Sequence, residues 1–183
     1  MAPLKTSRLT LRRFTLDDAP TIARLCHDTR IADTTLRIPH PYEPAMAVTW
    51  ISGLLEDYRE NPLASLAITL RATAELIGSI GTSLDLEHRR AELGYWIAPD
   101  HWNRGYATEA LRALIDHGFN TTEILRFSAY HFANNPASGR VLQKAGMSLE
   151  GTLRQYIRKN GRQLDCHVYA MLRSEWERDS KRS

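Results

Sequence analysis

The residues Asn103, Arg104, Gly105, Tyr106, Ala107 and Thr108 stand where a turn runs into a helix, in the stretch "WNRGYATEA". The first backbone N–H groups of a helix have no partner inside it, and the helix dipole makes that end attractive to an anion. Gly105 lacks a Cβ and lets the main chain approach a guest closely. Ala107 is nearly as permissive, so a phosphate or pyrophosphate can rest on the backbone itself. A well-capped helix with a glycine in its turn fits the same letters. The stretch ends in neither Gly-Lys-Ser nor Gly-Lys-Thr and holds no GxGxxG, which disfavours a P-loop and a dinucleotide fold.

Glu92 precedes Gly94 by two residues in a strand-like run, so Glu92, Gly94 and Trp96 share a face. There Glu92 can act as a base through water, or it can be an exposed strand glutamate paired with an arginine. Glu109 is a weaker candidate, since an acid in the first turn of a helix already complements its dipole. His101 and His131 are further candidate bases, though lone histidines more often serve structure. Arg104 and Arg140 are cations that can reach a phosphate or simply face solvent. Asn135 reads as a helix cap and Pro136 suits the first helical position. No cluster of His, Cys or carboxylates has metal-ligand spacing.

These residues must be positioned by regular elements. Leu9, Leu11 and Arg13 alternate with Thr10, Arg12 and Phe14 at strand period, and "DDAPTIARLC" opens a helix. Asp28 to Pro44 is irregular and proline-rich, and such a segment often carries substrate contacts. A helical pattern resumes through Val48, Ile51, Leu54, Leu55 and Tyr58. Three strand runs follow: "LASLAITLR", "ELIGSIGTSL" and "RRAELGYWI". A helix then carries Ala107, Ala110, Leu111, Leu114, Ile115 and Phe119 as one apolar stripe. After it come the strand "LRFSAYHF", a short helix from Pro136 that ends at Gly146, and two strands around Asn160-Gly161, a strong hairpin signal. The order β, α, α, β, β, β, α, β, α, β, β predicts an α/β (α+β) fold: a mixed, mostly antiparallel sheet of about seven strands with helices on both faces. The crossover helix after "RRAELGYWI" makes the next strand its parallel neighbour.

With 183 residues, 43% of them hydrophobic, the chain suits one domain with a substantial core. The formal charge of +3 comes from scattered residues and is too mild to argue for nucleic acid. Lys181 and Arg182 read as a solvated tail. Cys26 and Cys166 form no CxxC pair and are expected to be reduced and buried. No stretch approaches the roughly 18 apolar residues of a membrane span and the N-terminus lacks an apolar h-region, so a soluble, cytoplasmic protein is expected.

The run Trp102 to Ala107 resembles the acetyl-coenzyme A signature of the GNAT N-acetyltransferases: Gln or Arg, two residues, Gly, one residue, then Gly or Ala. Trp102 stands where that pattern has Gln or Arg. "LTLRRFTLDDA", "IPHPYEPAMAVTWI", "AELGYWIAPDHWNRGYATEAL" and "NPASGRVLQKAGMSLEGTLR" are similar, in order along the chain, to the RimJ/RimL branch of ribosomal-protein N-terminal acetyltransferases. The resemblance implies the GNAT fold over residues 1–183 and acetyl-CoA as cosubstrate, its pyrophosphate on the Asn103–Thr108 turn and its pantetheine on the backbone of Trp96 and Ile97. It implies that Asn135 binds the coenzyme arm and that Ser138 serves the departing thiolate. The tyrosine that many GNAT enzymes place four residues further on is Leu142 here.

The implied reaction is direct attack of a neutral amine on the thioester, with no covalent enzyme intermediate and no metal. An α-amine, with a reference pKa of about 8, needs less help than a lysine near about 10.4. The lack of an obvious strong base favours an α-amine or another amine of low pKa, and the resemblance implies as acceptor the α-amine of a protein N-terminal Ala or Ser, as on a ribosomal protein. A small amine (polyamine, amino acid or aminoglycoside) is the alternative, and a non-catalytic acyl-CoA sensor is the reading from another class. A strand edge near the C-terminus suggests a homodimer.

Overall fold

A computed structural model describes residues 2–180, so Lys181 and Arg182 lie outside the described residues. The chain opens with β1 (Leu4–Lys5) and β2 (Leu9–Arg13), then three helices: α1 (Ala19–Cys26), α2 (Thr29–Thr34) and α3 (Pro44–Asp57). The strands β3 (Leu66–Leu70), β4 (Leu76–Asp85) and β5 (Arg90–Ile97) lead into α4 (Tyr106–Thr121). β6 (Arg126–Phe132), α5 (Pro136–Lys144), β7 (Ser148–Lys159), β8 (Arg162–Leu172) and α6 (Arg173–Ser180) complete the order. The strands hydrogen-bond in the sequence β1-β2-β3-β4-β5-β6-β8-β7. The expected count of about seven becomes eight through the two-residue β1, which pairs antiparallel with β2.

β5 and β6 pair in parallel from Arg90↔Arg126 to Leu93↔Ala129, as the α4 crossover requires. The pairs β2–β3, β3–β4, β6–β8 and β7–β8 are antiparallel. The β7–β8 hairpin closes between Lys159 and Arg162, with Asn160 at φ 48° and Gly161 at φ 77°. Positive φ at both central residues is the turn whose twist matches paired strands, and few dipeptides other than Asn-Gly adopt it readily.

The chain forms two compact units. One runs up to Gly81 and resumes over Tyr95–Ala110; the other comprises Thr82–Gly94 and everything from Leu111 onward. In the first, Ala19, Ile22, Ala23 and Cys26 of α1 are buried, as are Ala47, Ile51 and Leu54 of α3 and Tyr58 just after it. Val48 and Leu55 of the expected α3 stripe are instead 48% and 43% exposed. They flank the Ala47, Ile51, Leu54, Tyr58 ridge, whose spacing of four and three follows one helix face. The segment expected to be irregular from Asp28 holds the short helix α2, whose cap Asp28 accepts a hydrogen bond from the Arg30 amide.

In the second unit the α4 stripe is buried at Leu111, Leu114, Ile115 and Phe119, and Phe119 meets Phe127 of β6 edge-on at 4.8 Å. Arg173, at the start of α6, donates to the carbonyls of Phe119 and Thr122 at 2.6 Å and of Ile124 at 2.9 Å. It thereby satisfies carbonyls at and just beyond the C-terminus of α4. Cys26 and Cys166 are buried free thiols, and burial pushes the Cys26 thiol up to about 12. Among the described residues no helix is long and apolar enough to cross a membrane.

Candidate active site

The first unit holds the turn before α4. Asn103 has φ 59° and Gly105 φ 78°, both left-handed, and α4 begins at Tyr106. Among the described residues nothing accepts a hydrogen bond from the amides of Tyr106, Ala107 or Thr108. Consecutive unpaired amides at a helix start, preceded by left-handed residues, have the chemistry of a cradle for an anion. The side chains of Asn103 and Arg104 are exposed, and those of Tyr106, Ala107 and Thr108 are half-buried.

Glu109, one turn into α4, proves to be the anchor of this cradle. Its Oε1 accepts from the Thr6 hydroxyl at 2.6 Å, the Ser7 hydroxyl at 3.0 Å and the Arg8 amide at 2.9 Å. Its Oε2 accepts from Arg8 Nε at 2.7 Å and forms an ion pair with Nη2 at 2.6 Å. Arg8 also donates from Nη1 to the Arg104 carbonyl at 2.9 Å and lies 4.7 Å over the Tyr106 ring. Helix dipole alone accounts for none of this. Thr6, Ser7 and Arg8 escape a sequence reading, because nothing local in "KTSRLT" announces a partner about a hundred residues away.

Trp102 takes a definite part where a polar side chain is usual: its indole Nε1 donates to the Ile97 carbonyl at 2.6 Å, tying the end of β5 to the turn. Ile97 is buried and Trp96 half-buried. His101 is engaged, with Nε2 at 3.3 Å from Glu75 Oε1.

In the second unit, Asn135 caps α5, its Oδ1 accepting from the Ser138 amide at 3.3 Å. That bond uses one end of the side chain and leaves its Nδ2 without an acceptor among the described residues. Ser138 is half-buried and Arg140 exposed, while Leu142 is fully buried in the core. Beneath α5, His131 is 6% exposed; its Nδ1 donates to the Phe132 carbonyl at 2.8 Å. Its Nε2 is therefore the unprotonated nitrogen and has no partner among the described residues. A Cβ on Gly139 would lie 2.7 Å from it, so the absence of that Cβ lets α5 rest directly on the imidazole.

Burial pushes the His131 pKa below its ordinary value; the bond to Phe132 opposes this and His167 reinforces it. Because the unfolded chain takes up the proton more readily, this contribution to stability is complete above about pH 6.5 and is lost as pH falls through the lower folded value. His131→Leu should flatten the decline of Tm between about pH 7 and 5. Thermal melts across that range check it, and an unchanged slope would show that His131 does not titrate there.

Glu92 is exposed on β5 and has no ion-pair partner among the described residues. The neighbouring arginines are committed elsewhere: Arg90 to Asp85 at 2.9 Å, and Arg126 to Glu150 through bonds of 2.6 and 2.5 Å. The pairing with an arginine that competed with a chemical role is absent. Among the described residues no group of three metal-ligating side chains gathers.

A mostly antiparallel sheet in which β5 and β6 run parallel is joined there by a helix whose N-terminus offers free amides, an arrangement suited to a ligand that carries an anionic group. The chain matches the acetyltransferase (GNAT) domain family over residues 8–148 and belongs to it; it is an N-acetyltransferase. It is 36% identical over 171 residues to the uncharacterized N-acetyltransferase YoaA of Bacillus subtilis (strain 168), covering 93% of this chain and 96% of that one. It is 35% identical over 99 residues to the ribosomal-protein-serine acetyltransferase of Escherichia coli (strain K12), covering 54% and 55%. The fold matches RimL, a ribosomal L7/L12 alpha-N-protein acetyltransferase solved in complex with coenzyme A, with a TM-score of 0.83 at 19% identity over 93% and 97% of the two chains.

Proposed function

We propose that this enzyme transfers the acetyl group of acetyl-CoA to the α-amine of a protein N-terminus bearing Ala or Ser. The observation that carries this reading is the set of candidate bases. His131 is buried, with its pKa held low, His101 is bonded to Glu75, and Glu92 is exposed to water. Such a set suits an amine that is already partly neutral near pH 7 and would serve a lysine poorly. The likeness to an enzyme named for ribosomal-protein serine acetylation supports the same acceptor.

The residues present fit the coenzyme. Gly105 at φ 78°, followed by three unpaired amides, suits a pyrophosphate, and the free Nδ2 of Asn135 suits a carbonyl of the pantetheine arm. Acetyl-CoA supplies an activated acetyl thioester. Glu92 takes the proton that the incoming ammonium must lose, directly or through water. The Ser138 hydroxyl donates a hydrogen bond to the departing sulfur.

A panel of acceptors tests the reading: peptides with free Ala or Ser termini, the same peptides N-blocked with an internal lysine, and small amines, followed by thiol release. Preferred turnover of the free-terminus peptides is expected; preference for a polyamine, amino acid or aminoglycoside would overturn it. With the best acceptor, Ser138→Ala should lower kcat about tenfold at saturating acetyl-CoA. The effect is modest for a general acid because a thiol is acidic enough that its thiolate leaves with little help. Unchanged turnover would remove Ser138 from this role.

A further inference from the structure

The face of the second unit that carries Glu92 holds two aromatic residues with no part in the chemistry so far. Glu92 pairs with Ser128 across the parallel β5–β6 ladder, so strand period places Tyr130 on the same face, one step beyond. Tyr156, from β7, stacks on Tyr130 with ring centroids 5.8 Å apart and planes 27° from parallel. Tyr156 is 53% exposed and Tyr130 half-buried. Gly94 is the next residue on Glu92's side of β5, and no atom lies within 4 Å of where its Cβ would stand. The floor beside the carboxylate is open.

The charges on this face leave the Glu92 carboxylate uncompensated. Arg126, the cation nearest in register, is held by both oxygens of Glu150, and Arg90 by Asp85. Burial first, then the Glu92 charge and the contact with Tyr156, hold the Tyr130 phenol above its ordinary range, so it stays neutral. A free carboxylate beside Tyr130, whose ring stacks on that of Tyr156, attracts a compact cation, by charge and by the electron-rich ring faces, and offers nothing to an anion. Its oxygens are acceptors, and a primary ammonium brings three donors.

We propose that Glu92, Tyr130 and Tyr156 form the subsite that collects the acceptor's primary ammonium group before it gives up its proton. The inference rests on the reading of this enzyme as an amine acetyltransferase and deepens it. The class recognised is an unhindered primary ammonium, whether it ends a polypeptide or a small alkylamine. The rings confine it, and Glu92 both attracts it and stands ready for its proton.

The test separates binding from turnover. Ethylammonium is titrated into the protein saturated with coenzyme A, which carries no acetyl group to transfer, while the ring resonances of labelled tyrosines are followed. The Tyr130 and Tyr156 signals should shift saturably, and uncharged propanamide should leave them in place. Glu92→Gln and Tyr156→Ala should each weaken the binding about tenfold with Tm retained, and Tyr156→Phe, which keeps the ring, should stay near wild type. Immobile ring signals, or equal affinity in wild type and Glu92→Gln, would overturn the subsite.

In steady state, Glu92→Gln and Tyr156→Ala should raise the KM for the best acceptor and leave that for acetyl-CoA unchanged. Displacement of ethylammonium by an Ala- or Ser-terminal peptide, or by a polyamine, then shows which source of ammonium the site prefers. If free-terminus peptides are not acetylated but ethylammonium binds as described, the acceptor assignment fails and the subsite stands. If they are acetylated with a KM indifferent to these variants, the subsite fails and the assignment stands.

Discussion

Gly105→Val is expected to weaken acetyl-CoA binding about a hundredfold. Space is not the obstacle, because a Cβ at this position meets only the tip of the Arg8 side chain at 3.4 Å. The obstacle is the backbone, held at φ 78°. A β-branched residue is a marked outlier there, and such strain costs about 1–3 kcal/mol. A chain that relieves the strain by turning to negative φ swings the amides of Tyr106, Ala107 and Thr108 out of their common direction. One that does not relieve it carries the strain. A hundredfold loss corresponds to about 2.8 kcal/mol, near the top of that range, because cradle geometry and strain fail together. Calorimetric titration with coenzyme A measures it, and an unchanged Kd would remove the cradle from coenzyme binding.

The second large effect is expected at Glu109, where alanine should lower Tm by about 5–10 °C and also weaken coenzyme binding. The carboxylate is 15% exposed and accepts from Thr6, Ser7 and twice from Arg8 in addition to the ion pair. Hydrogen bonds to a charged group contribute about 1.5–3 kcal/mol each, yet they are not additive, and the Arg8 side chain is 48% exposed and can turn to water. A net cost of about 2–3 kcal/mol follows, which at this chain length is about 2–4 °C for each. Glu109→Gln, which keeps an acceptor and loses the charge, should fall between. A Glu109→Ala melt identical to wild type would show that Arg8 and the hydroxyls find other partners.

Acid should act on the same residue. Burial pushes the Glu109 pKa up, but the bonds from Thr6, Arg8 and Ser7 together pull it further down, so the folded value lies below the ordinary one. A depressed carboxylate contributes fully above its unfolded pKa, near about 4.3, and that contribution is lost as pH falls through the folded value. The cradle therefore loosens only in strong acid. Glu109→Ala should show a shallower fall of Tm below about pH 4.

Features written in a few consecutive residues were legible. The Asn135 cap, the Asn160-Gly161 turn, the α4 stripe from Ala110 onward and the parallel neighbour of β5 each depend on local conformational preference or one crossover, and each stands as expected, while Ala107 at the head of the stripe is half-buried. The short β1, α2 and the charged helix α6 were not, since none has an apolar period long enough to register. α6 is held by what Arg173 and Trp176 reach, the carbonyls of Phe119, Thr122 and Ile124 and the Asp116 carboxylate.

The site divides along the same line. By itself the sequence determined the glycine turn at the start of α4 and the family, because a left-handed glycine, a helix start and small residues act through their own backbone. Only the tertiary structure decided what holds the cradle in place and which candidate carboxylate is free. Glu109 is captured by Thr6, Ser7 and Arg8 from the far end of the chain. Glu92 stays unpaired because Asp85 and Glu150 take the two arginines that flank it in register. The physical reason is that a charged side chain has no fixed partner in sequence: its role is set by whichever opposite charge folding brings within about 4 Å, and by how much water remains.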